Sequence, residues 1–203
     1  MKKSEAKEIT IPAIEIQTFD LRIVGDSPLI VHAWSEKAKK EMLDKQMKKA
    51  AKGREAKNPF ADFCDSLYWL TEKPENPTMD DVLKAKFGFP VIAFKSAAVD
   101  GGYQSGVTAN KTTSRGAFHV IGEFAEIEGV PIMREDAVRI VGTADIRYRG
   151  EFKEWATTLT IRFNSNAMSL EQIANLFNIG GFGVGVGEWR PQKDGSNGMF
   201  HVE

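Results

Sequence analysis

From residue 14 to residue 24 the chain alternates. Phe19, Leu21 and Ile23 fall on one side and Thr18, Asp20 and Arg22 on the other. That two-residue period belongs to a strand buried on one face. Gly25-Asp26-Ser27-Pro28 breaks the pattern with turn residues, and a short apolar run, Leu29-Ile30-Val31, follows. Ser35 then stands as an N-cap before Glu36, an acid suited to a first helical turn. A helix is predicted from there to about Lys52, stopping at Gly53, with Ala38, Met42, Leu43, Met47, Ala50 and Ala51 as its apolar stripe.

Asn58-Pro59 opens a shorter helical stretch with core-type residues at Phe60, Phe63, Cys64, Leu67 and Trp69. Residues 73 to 81, with Pro74 and Pro77, read as a linker. A further helix is predicted from Pro90, a residue that suits a first turn, and Gly101-Gly102 ends it. Residues 103 to 116 are polar and rich in Gly, Thr and Ser and read as a long flexible loop. Strand patterns follow at 117–127, 137–148 and 155–163. Ser169 caps the last helix, with Gln172 three residues on as a capping box and Leu170, Ile173, Ala174 and Phe177 as the buried stripe. A short strand, Met199 to Val202, closes the chain. This order predicts an α+β fold with an antiparallel sheet and helices on one face. Residues 1–12 form a flexible arm, and 13–203 form one domain with insertions at about 53–86 and 103–116.

Composition narrows the function classes. The 203 residues carry a net charge of -1, with 42% hydrophobic and 27% charged positions. A globally basic nucleic-acid binder is thereby excluded, and any basic surface is local. A single cysteine, Cys64, excludes an intrachain disulfide. No Cys-x-x-Cys is present, and His32, His119 and His201 are scattered, so no metal or cofactor is expected. No apolar run approaches the roughly 18 residues of a membrane span. The first residues lack the apolar core of a signal peptide, so a cytoplasmic location is expected.

The densest chemical signal is Gly180, Gly181, Gly183, Gly185 and Gly187, five glycines in eight residues, followed by Glu188-Trp189-Arg190-Pro191. Such density points to positive φ angles or to close approach of a partner. Successive amides there can form an anion nest, Trp189 can stack on a base, and Arg190 can pair with phosphate. The run follows a helix, whereas Rossmann and Walker loops precede one, and no Gly-Lys-Ser/Thr is present. The fold-only reading is a helix C-cap packed tightly on a strand.

Two segments together resemble the RAMP superfamily, the RNA-holding backbone proteins of CRISPR effector complexes. Phe89-Pro90-Val91-Ile92-Ala93-Phe94-Lys95-Ser96-Ala97 is similar to that family's Ile-Pro-Gly-Ser-Ser-Leu-Lys-Gly-Ala segment. The proline, the bulky residue before lysine and the lysine match, whereas Val91 and Ile92 replace small residues. The closing helix with its glycine run resembles the family's helix, Gly-x-Gly-x-Gly and strand ending. The motifs cover about 25 residues, and the outline covers residues 14 to 203. The resemblance implies a ferredoxin-like (RRM-like) domain that binds RNA along its sheet and glycine loop, often as side-by-side protomers. Lys95, Gly183, Gly185 and Gly187 would be its binding positions. It also allows a free-standing, phage-encoded relative.

Further candidates stand beside their plain structural readings. Lys95 near a helix start suits phosphate, or is a surface lysine over apolar neighbours. Between Glu36 and Lys57 there are nine Lys or Arg and four acids. Lys37, Lys40, Lys45, Lys48, Lys49, Lys52 and Arg54 are therefore either a backbone-binding face or a solvated face with i,i+4 pairs. Tyr103, Lys111 and Arg115 lie in the predicted loop. Arg147, Tyr148 and Arg149 lie in a strand pattern, where they track RNA or make cross-strand salt bridges. His32 can serve as the base of metal-independent RNA cleavage or pack structurally. Asp145 is a weaker acid candidate. Glu188 reads as an anchor of the glycine loop or a partner for Arg190.

The leading expectation is a non-enzymatic protein for single-stranded RNA or DNA, assembling side by side. One alternative is a phage-type anti-defence protein that mimics or caps a CRISPR-type assembly through a protein partner. Another is an endoribonuclease using His32. A nucleotide held at the glycine run is a fourth reading.

Overall fold

The structure is a computed structural model that describes residues 13–49, 56–140 and 143–203. Across these residues it is an α+β fold built on three antiparallel sheets. The largest sheet orders its strands β10 (Phe200–Val202), β1 (Ile16–Gly25), β9 (Ala156–Asn164) and β5 (Phe118–Val120). The alternation of β1 settles its register against β9: Phe19 faces Ile161 and Leu21 faces Leu159. Slipping by one residue would turn every apolar side chain to water.

Two helices cover the inner face of this sheet, α4 (Val91–Gln104) and α6 (Leu170–Gly183). Phe94 of α4 meets Phe200 with ring centroids 5.5 Å apart, and Phe177 of α6 meets Phe118 at 5.8 Å. The outer face is left to Thr18, Asp20, Thr158 and Arg162, which are exposed.

The segments between these elements build the other two sheets. β2 (Leu29–Val31), β8 (Thr143–Phe152) and β7 (Pro131–Ile140) form one; β3 (Tyr68–Trp69), β4 (Phe87–Pro90) and β6 (Phe124–Ile127) form the other. The helices α1 (Glu36–Gln46), α2 (Pro59–Ser66), α3 (Met79–Lys84) and α5 (Lys111–Ala117) complete the fold.

Several sequence expectations are corrected. The predicted loop 103–116 shrinks to a short turn, because α4 runs on to Gln104 and α5 begins at Lys111. The Asn110 side chain accepts the Thr113 amide and caps α5. Gly101 and Gly102 do not end α4; they lie inside it, where α6 crosses closely. The predicted linker 73–81 runs into α3, whose Thr78–Asp81 capping box starts a helix at Met79. The single strand run 117–127 is two strands in different sheets, β5 paired with β9 and β6 with β4.

The first predicted helix ends at Gln46, and Lys48 adopts φ 55 beyond it. The stripe residues Met42, Leu43 and Met47 are exposed, not buried. Residues 1–12 and Ala50, Ala51, Lys52, Gly53 and Arg54 lie outside the described residues.

Candidate nucleic-acid interface

The glycine run is half helix and half turn. Ser169 and Gln172 form the capping box that starts α6, and the helix continues through Gly180 and Gly181 to Gly183. Gly185 (φ 67) and Gly187 (φ 77) then take left-handed conformations that other residues rarely adopt. A Cβ on Gly187 would sit 2.5 Å from the Ile30 carbonyl oxygen, and one on Gly181 would sit 1.9 Å from that of Phe200.

The expected anion nest is not formed at these amides. The N–H groups of Val184 and Gly185 both donate to the Gly180 carbonyl, Val186 donates to Gly198, and Glu188 donates to Ile30. These glycines dock the turn onto β2 and cap α6. Gly183 differs: it is exposed, and a Cβ there would meet nothing within 4 Å.

Beyond Gly187 the turn presents Trp189. Its backbone holds φ 53, a conformation that costs a non-glycine residue about 1–2 kcal/mol. The surrounding turn enforces it. The Trp189 carbonyl accepts the Asn197 amide, and the Arg190 carbonyl accepts those of Lys193 and Gly195. Trp189 as a whole remains 42% exposed. The Arg190 guanidinium donates to the Gly187 carbonyl at 3.1 Å and to Gln192 Oε1 at 3.2 Å. No carboxylate lies within ion-pair distance of it among the described residues.

His32, at the end of β2, lies against the same turn, with its Nδ1 3.8 Å from Glu188 Oε1. The Tyr68 hydroxyl donates to the His32 carbonyl. His32 holds the Glu188 carboxyl below its ordinary range; burial opposes this, and Arg149 and Arg190 assist. Of the two roles expected for Glu188, anchor of the loop or partner of Arg190, the contacts fit the anchor: its amide donates to Ile30 and its carboxyl lies against His32.

The remaining candidates separate in space. Arg149 is buried on β8, where its NH1 group donates to Asp136 at 3.1 Å. Arg147 pairs with Asp145, which also binds Lys57. Arg147 and Arg149 are thus committed to ion pairs. They lie in the β2–β8–β7 sheet and not on the open face of the four-stranded one. Burial alone would raise the Asp136 carboxyl, but Arg134 and Arg149 outweigh it and hold it below its usual value. Lys111 pairs with Asp100 at 2.9 Å and sits over the Tyr103 ring. Lys45 is in the last turn of α1, while Lys48 and Lys49 lie past it, and Lys49 pairs with Asp44. No basic helix face therefore runs through all three.

Lys95 and Arg115 do come together. Lys95 Nζ donates to the Arg115 carbonyl at 2.9 Å and lies 3.2 Å from His119 Nδ1. Burial pushes the Lys95 ammonium below its ordinary pKa, and nearby Arg115 adds to the effect. His119 stands opposite Arg162 across the β5–β9 pairing. Sequence reasoning missed Arg162 and weighed His119 only as a metal ligand. The signal for Arg162 was its place on the polar side of the Leu159-Ile161-Phe163 alternation.

Among the described residues no three His, Cys, Asp or Glu side chains gather as a metal site, and no helix is long and apolar enough to cross a membrane. Comparison of the sequence with protein-family profiles and with curated proteins finds no match.

Proposed function

We propose that this chain is a non-enzymatic, RAMP-related protein that binds single-stranded RNA or DNA on a ferredoxin-like core. One observation carries the reading: the fold holds Trp189 in a left-handed backbone while leaving it exposed beside Arg190, which makes no ion pair among the described residues. Strain of this kind persists where the surrounding structure enforces it and clusters at ligand sites. An exposed indole stacks on any base, and a neighbouring guanidinium takes the adjoining phosphate. Two supports come from the fold. The strand order β10-β1-β9-β5, with α4 and α6 as crossovers behind it, supports a ferredoxin-like βαββαβ reading. The outer face of that sheet is also exposed.

The test is an electrophoretic shift with short single-stranded RNA and DNA at low salt. Wild-type protein shifts the probe, and affinity falls steeply as salt rises. Trp189→Ala weakens binding about tenfold, within the roughly 1–3 kcal/mol of one stacked base. Absence of any shift by wild-type protein at low salt overturns the reading.

A metal-independent ribonuclease is the second reading, favoured by the His32–Glu188 contact, which orients an imidazole beside the same turn. Cleavage of a structured RNA that His32→Ala abolishes would move the protein to this class. Cleavage that the substitution leaves intact would remove His32.

A further inference from the structure

Each of the three sheets ends in two edge strands among the described residues. Five of these edges, β10, β5, β2, β3 and β6, are two to four residues long. The sixth, β7, is ten residues long, Pro131–Ile140, at the end of the β2–β8–β7 sheet. Shortness protects an edge from pairing with another chain, and length invites it. Pro131 removes a donor only at the first position, and no proline follows it in the strand.

Contacts on β8 reveal which backbone groups of β7 face outward. In an antiparallel ladder, pairs that bond to each other alternate with pairs whose N–H and C=O turn away from each other. Gly150 lies opposite Met133, and Ile146 lies opposite Ala137. The Gly150 amide donates to Ser66 Oγ at 2.8 Å, and the Ile146 carbonyl accepts Lys57 Nζ at 2.6 Å. Both groups therefore point to the far side of β8, away from β7. Met133, Ala137 and, by the same alternation, Glu135 direct their own N–H and C=O to the open edge. All three residues are exposed.

We infer that β7 pairs antiparallel with β7 of a second copy of this chain, around a two-fold axis at Ala137. Charge selects both the occupant and the register. An axis at Arg134, Glu135 or Asp136 sets a charged residue opposite itself, which destabilises a cross-strand pair. An axis at Met133 or Val138 leaves Glu135 without a charged partner. An axis at Ala137 sets the small alanine opposite itself and Glu135 opposite Arg139 of the second copy, twice by symmetry. The outward groups at these positions then supply about six backbone hydrogen bonds. The strand is complementary to itself, so the contact closes at two copies, whereas side-by-side protomers extend into an array. The inference does not depend on nucleic-acid binding.

The test is sedimentation velocity of the full chain, without nucleic acid, over a concentration series. A strand-edge contact is at the low end of interface sizes, so wild type passes from monomer to dimer as concentration rises and stops at two copies. Glu135→Arg and Arg139→Glu each set like charges across the axis twice and weaken the dimer about tenfold. The combined exchange, Glu135→Arg with Arg139→Glu, restores it. Ala137→Pro removes the central outward N–H, spares the ladder with β8 and leaves a monomer. Thermal unfolding checks that each variant folds, and the charge exchange decides even where Ala137→Pro does not. The inference is overturned if wild type stays monomeric at every concentration, which leaves the edge to a strand of another protein. Growth of wild type beyond two copies also overturns it, as does a combined exchange that associates no better than the single variants.

Discussion

Gly101 of α4 and Gly180 of α6 touch backbone to backbone. A Cβ built on Gly101 would lie 2.6 Å from the Gly180 α-carbon, and one on Gly180 would lie 2.5 Å from the Ala97 carbonyl. Gly180→Ala therefore forces the two helices apart and costs about 1–3 kcal/mol, as overpacking does. Gly183→Ala, three residues on at an open helical position, is neutral or stabilising by up to about 1 kcal/mol. Urea unfolding of the two variants separates these outcomes. Equal midpoints would show that the crossing tolerates a side chain.

The backbone of Trp189 supplies a test of strain. Glycine adopts φ near 53 without the penalty of a Cβ. Trp189→Gly and Trp189→Ala both remove the indole, so their difference isolates the backbone. The glycine variant should be more stable than the alanine variant by about 1 kcal/mol, and both should lose nucleic-acid affinity alike. Equal stabilities would mean the turn relaxes once the indole is gone.

Buried charge in the β7–β8 hairpin is expected to dominate surface charge. Asp136 and Arg149 side chains are each 9% exposed, and Asp136 also binds Arg134 at 2.8 Å. Asp136→Ala leaves Arg149 buried without its partner and costs about 3–5 kcal/mol. Lys86→Ala breaks an exposed pair with Glu126 and changes stability by about 1 kcal/mol or less. Denaturation midpoints of the two variants give the comparison directly.

Glu188 ties stability to pH. Its carboxyl is held below its ordinary value, first by His32 and then by Arg149 and Arg190, against the opposing effect of burial. A group lowered on folding contributes stability above its unfolded pKa and loses it as pH falls through the folded one. Glu188→Gln should therefore be less stable than wild type near about pH 7, and the gap should close as the pH falls below the ordinary carboxylate range. A gap that stays constant across the acid limb would show that the charge of Glu188 does not hold the turn.

Local signals in the sequence were read correctly where the physics is local. The alternation at Phe19, Leu21 and Ile23 is a strand, and Ser169 with Gln172 caps a helix, because both follow from neighbours in the chain. Helix ends were read less well. Gly101-Gly102 carries a stop signal that a crossing helix overrides, and Asn110 caps a helix inside a stretch whose composition reads as loop.

The candidate site divides the same way. Composition and spacing singled out Trp189, Arg190 and Lys95, and left the role of the glycines open between ligand and fold. The structure spends most of the turn amides on Gly180, Gly198 and Ile30, which are distant in sequence or buried in a helix end. Arg149 looked like a surface cation and is a buried partner of Asp136, because its strand face is covered. By itself, then, the sequence determined the strand periods, the helix caps and the absence of a net basic charge. Only the tertiary structure decided which cations face water, which glycines carry helix contacts, and that His119 meets Arg162 and Lys95. Those outcomes depend on pairings between strands and helices far apart in the chain, and no local pattern encodes them.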